Sequence, residues 1–272
     1  MDPDFPTRIL KNFELDPTLA FEYSVISLVE EYSKRQLTFA SDRAIAIAGL
    51  EQRIADTFKC ESRFGIFESH LHYNLLWEPS GDKVASAEQN DVFPSWSWMS
   101  YPGAVQIQRG LRAFSDITLR GDSIWEVLKG ELREFQQGIS GCFVNSNVCF
   151  LQGSKNALTA DLAALIDCTV RQRDDNAVPH TKTGMDYVVY STSGIKRGMI
   201  GFDAKDTAYL DNILCVVLAR FSAKLATEGE DGYCYAVMLV APAGRDKEYR
   251  RNGLGFIQSN CVVKLEDDVR IV

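Results

Sequence analysis

At 272 residues, 46% of them hydrophobic, the chain can bury a substantial core as one large domain or two smaller ones. Its 29 Lys and Arg against 37 Asp and Glu give a formal charge of -8 with no long basic run, which argues against nucleic acid or an anionic membrane as partner. No apolar run reaches the ~18 residues that cross a bilayer, and Met1-Asp2-Pro3-Asp4 has neither the basic nor the apolar region of a signal peptide, so the expectation is a soluble, cytoplasmic protein with no membrane span.

After an irregular lead-in, Asp16-Pro17 supplies an N-cap and a proline for a first helical position. Phe21, Val25, Leu28 and Tyr32 then recur at four-three-four spacing, which predicts a helix ending near Arg35. Ser41 or Asp42 caps a second predicted helix with the stripe Ile47, Leu50, Ile54 and Phe58. A third is predicted from Ser62 through Phe64, Phe67, Leu71 and Leu75 to Trp77, stopped by Pro79-Ser80-Gly81.

Val92 to Gly103 holds two of the four tryptophans between two prolines. Residues two apart share a strand face, so Trp96 and Trp98 are predicted on one face and Ser95, Ser97 and Met99 on the other, ahead of a Pro102-Gly103 turn. Such indoles either plug a junction between helices and sheet or line an aromatic pocket. Beyond them short apolar runs alternate with turn residues. Strands are predicted near residues 104–108, 117–120, 148–152, 164–170, 187–191, 199–202, 213–221, 233–241, 255–258 and 261–265, with a helix between Ser123 and Gln136. The fold class expected is α+β: a helical N-terminal third packed on a mainly antiparallel β sandwich or barrel-like region. The domain division expected is 1–80 helical and 81–272 mainly β, sharing one core.

Signatures of chemistry are sparse. GxSxG, Walker A, GxGxxG and HExxH are all missing, and no cofactor is implied. The seven cysteines are odd in number, lie mostly in apolar runs and include no CxxC pair, which predicts reduced thiols and no metal site. Of the three histidines, His70 and His72 point about 200° apart on a helix and cannot share a metal there; His72 is kept as a weak acid or base candidate. Asp42 and Arg43 are the other weak catalytic candidates. Arg43 is expected to bridge to Glu30 or Glu31 on the first helix, a packing role ahead of a chemical one. Arg250-Arg251 reads as a solvated strand edge or an anion contact. Trp96, Trp98 and Tyr101 are the candidate substrate-binding residues.

Leu28-Val29-Glu30-Glu31-Tyr32-Ser33-x-Arg35-x-Leu37-Thr38, Ser41-Asp42-Arg43-Ala44, Leu75-Leu76-Trp77 and Pro94-Ser95-Trp96-Ser97-Trp98 come in an order that resembles the region following the HET domain in fungal heterokaryon-incompatibility proteins. Asp211-Asn212-Ile213-Leu214-Cys215 and Tyr249-Arg250-Arg251-Asn252-Gly253 are similar to weaker landmarks further along the same region. The HET signature itself, a Ser-Tyr-Cys-Trp-Gly type segment and a partner segment ending near Cys-Ile-x-Gln, has no counterpart in this sequence, and the resemblance transfers no functional residue. It implies an interaction or regulatory module with a protein partner. The alternative from a different class is a free-standing, cofactor-independent cyclase or isomerase of fungal secondary metabolism, holding an apolar small molecule in an aromatic pocket around Trp96 and Trp98.

Overall fold

The computed structural model describes residues 25–35, 42–68, 71–85, 92–108, 148–173, 184–205, 210, 212–223 and 232–272. The start of the first predicted helix, the strand near 117–120 and the helix between Ser123 and Gln136 lie outside the described residues. What is described is β-rich.

Two helices stand where the periodicity puts them. α1 spans Ser27–Ser33 and buries Val29 and Ser33, while Leu28 and Tyr32 of its predicted stripe are half-buried; α2 spans Asp42–Phe58, with Ile47, Leu50 and Ile54 of its predicted stripe buried. The third predicted helix does not form. Its place is taken by β1 (Ser62–Arg63), β2 (Ile66–Phe67), the single turn α3 (Leu71–Asn74) and β3 (Trp77–Pro79). Phe64 and Gly65 have φ of 51° and 73°, the left-handed pair of a tight two-residue hairpin, and a helix cannot run through it. Only glycine fits at position 65, because a Cβ there would lie 2.6 Å from the Trp98 indole nitrogen.

The strand expected at Trp96–Trp98 is likewise replaced, by turns leading into a short 3-10 helix at Trp98–Ser100. The serines decide this. The Ser97 hydroxyl accepts the Met99 N–H at 3.0 Å and donates to the Phe64 carbonyl at 2.7 Å, while the Ser100 hydroxyl donates to the Ser97 carbonyl at 2.8 Å. Hydroxyls that bond nearby backbone offer the chain an alternative to a ladder, and here that outweighs the alternation of the indoles. β4 (Val105–Ile107) then pairs with β3. Its other side is covered by α1: the Ser33 hydroxyl accepts from the Val105 N–H at 3.0 Å and Glu30 Oε1 accepts from the Ile107 N–H at 3.0 Å.

The remaining strands are β5 (Cys149–Phe150), β6 (Leu158–Leu165), β7 (Cys168–Gln172), β8 (Tyr187–Ser191), β9 (Lys196–Phe202), β10 (Leu214–Ala223), β11 (Gly232–Pro242), β12 (Glu248–Gln258) and β13 (Val262–Ile271). They make one nine-stranded sheet in the order β11-β10-β6-β13-β12-β9-β8-β7, with β5 beside β6 and β11 also paired to β12. The β11–β12 pairing closes a ring of β6, β10, β11, β12 and β13, from which β9, β8 and β7 extend as a wing. Its pairings are antiparallel except the short β12–β13 contact, where Glu248 faces Arg270 and Tyr249 faces Ile271. The predicted strand at 164–170 is in fact two, broken at Asp167, whose φ is 51°.

From Cys215 to Ala219 and from Cys234 to Val240, β10 and β11 are buried on both faces. Val216 and Leu218 of β10, with Ala236 and Met238 of β11, enter a core shared with α1, α2, β3 and the tryptophans. Cys215 and Val217, with Tyr235, Val237 and Leu239, enter a second core with Ile200, Phe202 and Ile257. Fully buried strands read as continuous apolar runs, which is why these two were the plainest in the sequence.

Candidate functional site

Trp96 and Trp98 are fully enclosed at 0% exposure, and Tyr101 is at 1%. Trp98 donates its indole N–H to the Gly65 carbonyl at 3.2 Å and meets Tyr32 edge-on. Trp96 packs between Phe64 and Phe150, each about 6.1 Å away between ring centres, and its buried N–H has no partner. Trp77, which the sequence left as a helix terminus, completes the cluster by donating to the Trp96 carbonyl at 2.9 Å and leaning on Tyr101.

Asp42 and Arg43 open α2 side by side but differ in burial. Asp42 is exposed, while Arg43 is buried at 6%. The expected bridge from Arg43 to Glu30 or Glu31 does not exist: Glu30 accepts from β4, and Glu31 pairs with Lys34 on the surface. Arg43 Nη1 instead donates to the Tyr101 carbonyl and, at 3.4 Å, to the Met99 carbonyl, with its guanidinium 5.8 Å from the Trp98 ring centre. The turns around Trp98 expose carbonyls that no ladder satisfies, and a buried fork of donors answers them. Burial pulls the Arg43 pKa down from the ordinary arginine value. The His72 side chain, His70 and His180 lie outside the described residues, as does Cys142; the six described cysteines are free.

The strongest polar arrangement was not singled out from the sequence. Arg251, read as a solvated edge, has a fully buried side chain. Its Nε donates to Asp203 Oδ2 at 2.8 Å, Nη1 to the Leu75 carbonyl at 2.7 Å and Nη2 to the Trp77 carbonyl, and its guanidinium lies 3.6 Å from the Trp77 ring centre. One irregularity aims it there. Leu239 and Val240 of β11 face Gly253 and Arg251, so Asn252 is an extra residue in β12, and its carbonyl accepts the Asp203 N–H at 2.9 Å. Alternation along β12 was the available signal, since of two adjacent arginines on a strand one must point inward.

Glu78, on β3, is a second buried charge. Its Oε1 accepts from the Gln106 amide at 2.6 Å and from the Gln108 amide, while Oε2 is buried without a partner. Burial pushes the Glu78 carboxyl above the ordinary range, against the pull of the two amides and of Lys83.

An open cleft of about 340 Å³ lies beside the tryptophan block without reaching it. It is lined by Val92, Phe93, Pro94 and Ser95, by Ala243, Arg245, Glu248 and Arg250 from the β11–β12 connection and β12, and by Arg270, Val272 and Asn156. Neither Trp96, Trp98 nor Tyr101 lines it. Among the described residues no group of three or more His, Cys, Asp or Glu side chains is placed to hold a metal, and no helix is long and apolar enough to cross a membrane. No protein family, curated protein or solved structure matches the chain.

Proposed function

We propose that this chain is a HET-protein-like interaction or regulatory module, related to fungal nonself recognition, that binds a protein partner without turning over a substrate. One observation carries the choice over an aromatic-pocket enzyme: Trp96 and Trp98 are fully buried, and neither lines the open cleft beside them. An apolar substrate needs a concave, partly unpacked aromatic wall, and these indoles are spent on packing. The finer organisation proposed with it is a helical N-terminal third and a β region acting as one α+β unit, supported by a hydrophobic core that draws on α1, α2, the tryptophans and the closed β ring together.

The second reading, a cofactor-independent cyclase or isomerase, draws on the open cleft next to Phe93 and Pro94. That lining has arginines and one carboxylate rather than the stacked aromatic faces such chemistry uses.

The experiment is co-expression of the full chain with HET-domain proteins in a filamentous fungus, followed by purification and analytical ultracentrifugation. A complex of fixed stoichiometry with a HET-domain protein is expected. A chain that sediments alone beside every such protein overturns the proposal.

A further inference from the structure

We propose that the outer edge of β7 is a self-association surface whose occupant is β7 of a second copy of this chain, added antiparallel about a two-fold axis at Val170. This contact is separate from the partner-binding reading and stands without it.

The main chain supplies the first argument. β7 ends the strand order and is hydrogen-bonded to β8 alone. The Arg173 N–H donates to the Asp186 carbonyl at 2.7 Å, and an antiparallel ladder bonds every second residue, so Arg171 and Thr169 face β8 while Cys168, Val170 and Gln172 turn their N–H and C=O groups outward. Among the described residues no main-chain group meets them there. Sheet edges are ordinarily blunted by proline, lysine or a bulge, and β7 has none of the three. A regular row of open donors and acceptors is a template for a further strand.

Self-complementarity identifies that strand. With Val170 opposite itself, Cys168 faces Gln172 of the copy and Thr169 faces Arg171, so the whole of β7 pairs and no like charges lie opposite one another. Continuing the register one step beyond each end sets Arg173 against Asp167 of the copy, twice by symmetry. Neither side chain has an ion-pair partner among the described residues, Asp167 being exposed and Arg173 half-buried. Arg171, the charge inside the strand, lies over the Tyr190 ring of its own chain at 5.7 Å. On the other face Cys168 and Val170 are the half-buried rim of the second core. The same residues of the copy extend that rim, and the two wings become one continuous sheet.

Sedimentation velocity of the full chain alone, from about 1 to about 200 μM, tests this, because a contact of one short strand edge falls in the weak, reversible class. A boundary that moves from monomer to dimer with concentration is expected. Val170→Pro removes an outward N–H that β8 does not use, so it is expected to hold the chain monomeric while leaving the urea midpoint near that of the wild type. Arg173→Glu is the second variant, should proline disturb the fold. It sets a carboxylate against Asp167 of the copy and is expected to weaken the dimer about tenfold or more. Adding Asp167→Lys is expected to restore it, since any strain at the φ of 51° is equal in monomer and dimer. A chain monomeric throughout the range, a dimer that a folded Val170→Pro variant still forms, indifference to Arg173→Glu or no restoration by Asp167→Lys each overturns the proposal.

Discussion

Arg251 and Asp203 form an ion pair from which water is excluded: Nε to Oδ2 is 2.8 Å, with side-chain exposures of 0% and 4%. The pair joins the end of β9 to β12, and the rest of the guanidinium reaches across to the carbonyls of Leu75 and Trp77. It thus ties the tryptophan-bearing segment to the closed ring of strands. Desolvating two charges costs several kcal/mol each, so the pair contributes to orientation more than to net stability.

Breaking one half should therefore be worse than replacing both. Arg251→Met is expected to lower stability by about 3–5 kcal/mol, because Asp203 is left charged and buried. Arg251→Met combined with Asp203→Leu should recover part of that loss. Recovery should stop short of wild type, since two carbonyls remain without their donor at about 1–3 kcal/mol each. Urea unfolding of the three proteins checks it; a double variant weaker than the single one would refute the account.

Arg43 acts through carbonyls rather than a carboxylate, and its substitution should read accordingly. Arg43→Ala is expected to cost about 2–3 kcal/mol, from charge-assisted hydrogen bonds to Tyr101 and Met99 and the packing of the stem over Trp98. Removing the exposed Asp42 side chain should change the melting temperature little. Equal losses in Asp42→Ala and Arg43→Ala would refute this account, in which only Arg43 has buried partners.

The contrast shows what the sequence made legible. α2 and the strands β10 and β11 follow from apolar period and continuous apolar run, signals that depend only on neighbours in the chain. The hairpin at Phe64-Gly65 overrode an apparent helical stripe because one glycine with a left-handed φ redirects the chain, and hydroxyl bonds at Ser97 and Ser100 did the same to an apparent strand. The cleft could not be read at all. Its walls come from residues 92–95, the β11–β12 connection and the end of β13, which only the closed sheet brings together.

Glu78 supplies a pH dependence of defined sign. Its folded-state pKa is raised above the ordinary 4.5, chiefly by burial, so the folded protein holds the proton more tightly than the unfolded chain does. The stabilising contribution is complete below the unfolded value and is lost as pH rises through the folded one. Glu51 is shifted in the same direction, also by burial, and adds to the slope. Glu78→Gln should remove its own share, so the stability of the variant relative to wild type should climb as pH rises above the unfolded value and through the folded one. Urea midpoints across that range measure it, and parallel curves would place Glu78 in contact with water.

The tryptophans give the sharpest comparison. Both are fully enclosed, so Trp96→Ala and Trp98→Ala should each cost about 3–5 kcal/mol through lost burial and the cavity left behind. Phenylalanine separates them. At position 98 the ring loses the hydrogen bond to the Gly65 carbonyl, in a site shaped so closely to the indole that Gly65 has no room for a Cβ. At position 96 the indole N–H is already unpartnered, so phenylalanine removes an unsatisfied donor while keeping contact with Phe64 and Phe150. Trp98→Phe is thus expected to be less stable than Trp96→Phe by about 1 kcal/mol or more, the worth of the hydrogen bond. Equal losses in urea unfolding would mean that the Trp96 N–H is satisfied too, by a water held against the ring.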